Sequence, residues 1–216
     1  MHLSTNKKIL IAIAIFLLID VLLKLVYKYY IINTEILIQY YHDQFSELSA
    51  ELKIKSINQN LSIKLLFAET FIVFKMILIS GIIKLGIFLF NYKSKTSFKK
   101  ILYVVIKSYF IFLIPGIIQI LWFSIFKENY SVDDLMNFNW HTLLFWIDDL
   151  KYDFLRYPLS VINLYEILFW ILLILLLKKQ LGKSLWVSSK LVLTTYILGL
   201  FTWIVFVVFI IVVVAG

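Results

Sequence analysis

Five ionisable side chains inside long apolar runs are candidates for function: Asp20, Lys24, Glu69, Lys75 and Glu166; Lys84 and Lys107 lie near the cytoplasmic side and can snorkel. A charge at bilayer depth is costly, and by default it marks an ion path, a proton relay or a structural ion pair. Asp20 is eleven residues beyond Ile9, which is roughly 16 Å along a helix rising about 1.5 Å per residue. Lys24 follows at i+4, acid before base, the favourable order on one helix. Two readings are open. In one, the pair neutralises itself while Lys24 snorkels outward. In the other, Asp20 meets Lys75, which the spacing puts at the same depth, in an ion pair that holds two spans in register and is costly to break. Glu69 and Glu166 sit four and seven residues inside the outer ends of their runs, hence at most ~10 Å deep. They are placed either to face one another across a wet crevice, passing a proton or cation with Asp20, or to touch water at the rim of a bundle.

Other chemistry lacks parts. There is no Cys, and His2, His42 and His141 have no metal-ligand spacing, so no metal site and no cofactor is expected. Arg156 is the one Arg, too few for a phosphate-binding cluster, and the six Gly are scattered. No HExxH, no Ser-His pair at membrane depth and no paired GxGD-type Asp motif is present, so the chain reads as a non-enzyme. Pro115-Gly116 predicts a kink inside an apolar run, because proline frees the carbonyl of Ile111. Thr195 and Gly199 make a small-xxx-small face, a packing feature.

The elements that must position these groups follow from composition. Of 216 residues, 62% are hydrophobic and 16% charged, against roughly 25% charged in a soluble domain. A soluble domain of this length cannot hide so much apolar surface. The fold expected is all-α: a polytopic membrane helix bundle. Runs near the ~20 residues needed to cross a bilayer occur at about 9–30, 65–90, 101–126, 159–177 and 191–214, giving five spans. Lys7 and Lys8 before Ile9 resemble a signal peptide, but no small-x-small site follows, so an uncleaved signal-anchor is expected.

Charge orients the spans. Segments 1–8, 91–100 and 178–190 carry ten Lys and no acid, whereas segments 31–64 and 127–158 hold ten of the 13 acids. The positive-inside rule puts the lysine segments in the cytoplasm, the N-terminus inside and the C-terminus outside. The net charge of +8 is then explained by loops beside anionic lipid, and no nucleic-acid partner is needed. The preponderance of Lys over Arg, with much Ile, Phe and Asn, reads as the codon bias of an AT-rich bacterial genome, which makes the expected location the inner membrane.

Both outer segments read as helical. In 33–60, Ile38, Tyr41, Phe45, Leu48 and Leu52 form a stripe with Glu35, Asp43, Glu47 and Glu51 off it, an amphipathic helix on the outer face or a continuation of the first span. In 127–158, Ser131 can cap a helix with Asp133 and Asp134 in its first turn, and Leu143, Ile147, Leu150 and Phe154 form a second stripe. Pro158 is expected to bound the fourth span.

Two stretches, Asn91 to Gly116 and Leu159 to Leu200, resemble the bacterial branch of the Yip/YIPF family. The matching positions are Ser97-Phe98-Lys99 before a span containing Pro115, and Asn163-Leu164-Tyr165 through Trp170 opening the fourth span. The resemblance implies a polytopic bundle without catalytic residues. It does not carry over the trafficking role of eukaryotic members, which resides in a long cytoplasmic N-terminus. The expected function is a non-catalytic scaffold or accessory subunit, with the lipid bilayer and other membrane-protein subunits or a second copy as partners. The alternative is a small transporter or channel component using the intramembrane carboxylates and a lysine.

Overall fold

The computed structural model describes residues 4–32, 34–42, 49, 61–92, 96–127, 129–147, 150 and 152–215. Among them there is no strand, only an isolated antiparallel bridge between Thr142 and Asn163. The helices are α1 (Thr5–Val26), α2 (Thr34–His42), α3 (Leu61–Leu89), α4 (Phe98–Tyr109), α5 (Ile114–Leu121), α6 (Val132–Met136), α7 (Arg156–Val161), α8 (Leu164–Leu181), α9 (Leu185–Val192) and α10 (Leu198–Ala215). Widened π turns extend α1 over Tyr27–Ile31 and α5 over Trp122–Phe126, and a third, Leu193–Ile197, joins α9 to α10. A tight 3-10 turn, Phe110–Leu113, joins α4 to α5.

Among the described residues four continuous helices are long and apolar enough to cross a membrane: Thr5–Ile31, Leu61–Leu89, Phe98–Phe126 and Leu185–Val214. Each begins several residues before the apolar run read from the sequence. The backbone keeps making its own hydrogen bonds beyond the apolar run, since helical bonding does not depend on side-chain hydropathy. Ser184 shows how such an end is closed: its hydroxyl accepts the amide of Val187 at 3.3 Å.

The expected fourth span is α8, and it starts five residues later than 159. The side chain of Asn163, not Pro158, sets the boundary, accepting the amide of Glu166 at 2.9 Å. Pro158 instead lies inside α7, where its carbonyl accepts the amide of Ile162. The other end stops at Gly182, which takes the left-handed conformation at φ 63° and returns its amide to the carbonyl of Lys178. The 18 residues of α8 include Glu166, Lys178 and Lys179.

Segment 127–158 departs from expectation. It is not one amphipathic helix but short pieces, α6, the 3-10 turns Leu143–Trp146 and Asp153–Leu155, and α7. The backbone groups that would continue a helix are used sideways: Leu143 donates to Ile162, and Leu164 donates to His141. Ser131 does cap α6 as expected, in a capping box with Asp134. Of the stripe in 33–60, Ile38 and Tyr41 lie on α2, whereas Phe45, Leu48 and Leu52 fall outside the described residues.

The chain forms two compact units. The first comprises residues 1–13, 74–112 and 139–216. Its core is built on α8, whose Tyr165, Phe169, Leu173 and Leu177 repeat every four residues and are buried to 4% exposure or less. This stripe lies in the element that packs on α4 and α9. Gly86 of α3 receives the side chain of Thr195, and Gly199 lies against Ile82, so the small face does pack a helix. Lys84 donates to the carbonyl of Thr96 at 2.8 Å.

The second unit comprises residues 14–73 and 113–138. Ile31, Phe123 and Leu135 form its core, packed by Tyr27, Ile32, Ile120, Tyr130 and Phe138. The Tyr130 hydroxyl donates to the Ile31 carbonyl at 3.1 Å, and Gln119 donates to the Tyr27 oxygen at 3.1 Å. Beside α6, Lys127 pairs with Asp134 at 2.7 Å. That ammonium, with the backbone of Ser131, holds the Asp134 carboxyl down to about 2. Pro115 falls in the first turn of α5, directly after the 3-10 turn, as the expected loss of regular bonding requires.

A Cβ on Gly86 would overlap the Cγ2 of Thr195 and approach Leu191 Cδ1 to 3.0 Å. Thr195 cannot swing aside freely, since its hydroxyl is bonded to the Leu191 carbonyl at 2.6 Å. Gly86→Ala is therefore expected to destabilise by about 1–3 kcal/mol, the usual range for overpacking, in reversible unfolding in mixed micelles. Gly81→Ala, with nothing near its Cβ, should be neutral or slightly stabilising; equal behaviour of the two variants would refute the close approach.

Candidate functional site

Four of the five sequence-predicted polar residues fall into two clusters, one in each unit, and Lys75 is in neither. In the second unit the helical repeat puts Asp20 and Lys24 one turn apart on α1, with the ammonium 2.5 Å from Asp20 Oδ2. The same ammonium donates to Glu69 Oε1 of α3 at 2.7 Å. Lys24 thus bridges two carboxylates on two helices. The acids are the more enclosed members, with side-chain exposures of 16% for Asp20 and 11% for Glu69, against 35% for Lys24. Leu23 of α1 lies near Gly116 of α5, where an added Cβ would sit at an ordinary 3.7 Å, so this glycine is not required sterically.

One ammonium cannot neutralise two carboxylates. With all three groups ionised the cluster carries one net negative charge. Glu69 Oε2 is buried and accepts no hydrogen bond among the described residues. Asp20 Oδ2 is likewise buried, and the Lys24 nitrogen lies beside it as its ion-pair partner. A cluster of this kind can hold two helices together and can take up one positive charge.

The self-pairing of Asp20 and Lys24 is as expected, but the interhelical ion pair of α1 is Lys24–Glu69. Lys75 belongs to the first unit, where it is half-buried. The signal for Glu69 lay in the helix ends. Lys24 is seven residues from Ile31, and Glu69 is eight from Leu61, so both lie ~11 Å from their ends. A span started at residue 65 hides that match.

In the first unit Glu166, 4% exposed, opens the first turn of α8. Its Oε1 accepts the indole N–H of Trp170 at 2.8 Å and the hydroxyl of Tyr196 at 2.6 Å. The π turn Leu193–Ile197 makes the second bond possible. Its extra residue per turn brings Thr195, Tyr196 and Ile197 inward together. Beneath the carboxylate, Phe169 is ringed by Tyr109, Phe112 and Tyr196 at centroid distances of 5.4, 5.3 and 5.3 Å. Phe169 fills the middle of this group completely, at 0% exposure. The cluster is a knot that ties α8 to the α9–α10 helix. Trp170, at i+4 from Glu166, was legible as a partner; Tyr196 was not, because the π turn shifts its face.

Elsewhere, His141 stacks edgewise on Tyr165 at 5.2 Å, and burial pushes its imidazole below the ordinary value. Among the described residues no group of three or more His, Cys, Asp or Glu is placed to hold a metal ion.

Tyr196→Phe removes one donor from a buried carboxylate. The expected loss is about 1–2 kcal/mol, above the ~0.6 average for interhelical hydrogen bonds in membranes because the acceptor is a carboxylate. Tyr29→Phe, at an exposed position, should cost nothing. In a double-mutant cycle Glu166→Gln should shrink the Tyr196 effect; an unchanged effect would mean that the hydroxyl is not bonded there.

No protein-family model matches the chain, and neither a curated protein nor a solved structure is significantly similar to it.

Proposed function

We propose that the chain is a non-catalytic, multi-pass protein of the bacterial inner membrane, acting as a scaffold or accessory subunit through helix–helix and lipid contacts. One observation carries the reading. Within the most apolar stretch of Leu185–Val214 only 6% is buried inside the protein, although Phe201, Trp203, Phe206 and Phe209 line the helix with large exposed rings. A stretch that packs so little against its own chain is free to pack against another, either a second copy or a different membrane subunit. The intramembrane polar groups support the same reading, since the Glu166 knot is spent on internal bonds.

In this proposal α8 also crosses the bilayer. Its 18 residues span ~27 Å, close to the ~30 Å hydrocarbon core, with Lys178 and Lys179 snorkelling at one end. Five spans with the lysine loops inside put residue 216 outside. The Yip/YIPF resemblance is kept as part of the proposal. Its motif residues Ser97-Phe98-Lys99 and Asn163 stand at the starts of α4 and α8, where a structural motif belongs.

The chain has no cysteine, so single introduced thiols report topology without background. In intact cells an impermeant maleimide should label Gly216→Cys and spare Lys183→Cys; labelling of Lys183→Cys from outside would invert the layout. A benzophenone side chain at Phe209 should crosslink to a second copy or to one defined membrane subunit in native membranes, and the protein alone in liposomes should carry no proton or cation current. Lipid adducts only would remove the scaffold reading, and a current abolished by Asp20→Asn would replace it with the carrier reading, which the unserved Oε2 of Glu69 favours.

A further inference from the structure

We infer that Asp20, Lys24 and Glu69 form a binding site for a single exchangeable proton. The inference is independent of the scaffold reading: a scaffold can hold such a proton for stability, and a carrier can move it. Two observations carry it separately. The first is the charge count, since Lys24 touches both carboxylates, at 2.5 and 2.7 Å, and can balance one of them. The second is the bonding count: Glu69 is 8% exposed and its Oε2 accepts nothing among the described residues. An unbalanced charge and an unserved acceptor are both expensive in an apolar surrounding. One proton on either carboxylate removes both defects, by cancelling the charge and supplying an O–H between groups that already share a neighbour.

The neighbourhood favours a proton over a larger cation. The ammonium already occupies the place between the carboxylates where a metal ion would sit, and it would repel one. A proton needs no cavity and no further ligands. Among the described residues Asp20, Lys24 and Glu69 form ion pairs only with one another. The polar side chain that α5 brings to this unit is Gln119, a neutral group bonded to Tyr27. Of the nearest charges along the two helices, Lys28 lies over the ring of Tyr29, Lys64 is exposed and Lys75 is half-buried, and none of them pairs with Asp20 or Glu69 among the described residues. Exchange is balanced by water alone. A hydronium ion delivers the proton, an O–H bond forms on one carboxylate, and water is released; the reverse step returns it. Lys24, with 35% of its side chain exposed, is the most open side of the cluster, and the proton enters and leaves there.

The test is infrared difference spectroscopy of the full chain in lipid nanodiscs, titrated from neutral to alkaline pH. Wild type should show the carbonyl stretch of one protonated carboxylic acid at neutral pH, shifted in deuterium oxide and lost when alkaline. Asp20→Asn and Glu69→Gln should each abolish the band, because Lys24 then balances the single remaining carboxylate. Glu166→Gln should leave it, and Lys24→Met should double its area. Absence of the band from wild type at neutral pH overturns the proposal even if every variant fails to fold. A band that disappears with Glu166→Gln, or that survives both Asp20→Asn and Glu69→Gln, overturns it as well.

Discussion

A hydroxyl on an apolar helix has one inexpensive partner, the carbonyl one turn back, and this chain uses it repeatedly. Thr70 bonds to Leu66, Ser80 to Met76, Ser108 to Val104, Thr194 to Lys190, Thr195 to Leu191 and Thr202 to Leu198, all between 2.6 and 3.1 Å. The constraint behind these bonds is that no water is at hand to satisfy a polar group, so each must close on the protein. Small hydroxyls meet it locally and leave the helix surfaces apolar. Longer polar side chains cannot, and so they become the polar links between helices: Lys24 with Glu69, Gln119 with Tyr27, Tyr196 with Glu166. Where these links fall is what distinguishes this bundle from any other set of oily helices.

The π turns belong to the same account. Each gives up regular i→i+4 bonding for a wider turn, as where Ile32 returns its amide to Tyr27. In exchange, a side chain points where a regular helix would not send it. Tyr27 begins one such turn and accepts from Gln119; Tyr196 lies in another and reaches Glu166. The third, Trp122–Phe126, places Phe123 in the core beside Tyr130 and Phe138 at 4.9 and 5.1 Å. Local loss of ideal geometry is offset by one good contact in each case.

What could be read from the residues divides along the same line. The long apolar helices were legible because hydropathy is a sum over some twenty positions and survives errors at any one. Ser131 with Asp134 and Asp20 with Lys24 were legible because their partners lie three or four residues away, a distance set by the helix itself. The Lys24–Glu69 bridge needed the true start of α3, which depends on where the backbone stops bonding and not on where side chains cease to be apolar. The pieces of 127–158 were hidden for a related reason. Its periodic stripe was real as a pattern, but the amides of Leu143 and Leu164 were taken by residues about twenty positions distant, and no local pattern encodes that. Tyr196 needed knowledge of a π turn, which shifts every later face by about one residue.

Glu69 and Glu166 were alike in the sequence, two carboxyls at similar depth in apolar runs, and the fold has given them different surroundings. Glu166 stands in the first turn of a helix, where backbone amides and the helix dipole complement an anion, and its outward oxygen is served by two neutral donors. Among the described residues no second acid shares its donors. Glu69 stands well inside α3, its own backbone already bonded, and the donor it finds is a lysine that Asp20 also holds. The contrast shows why depth alone is a poor guide to function in a membrane helix. A buried acid surrounded by neutral donors is a structural fixture, whereas two acids competing for one base leave a deficit that only something mobile can fill.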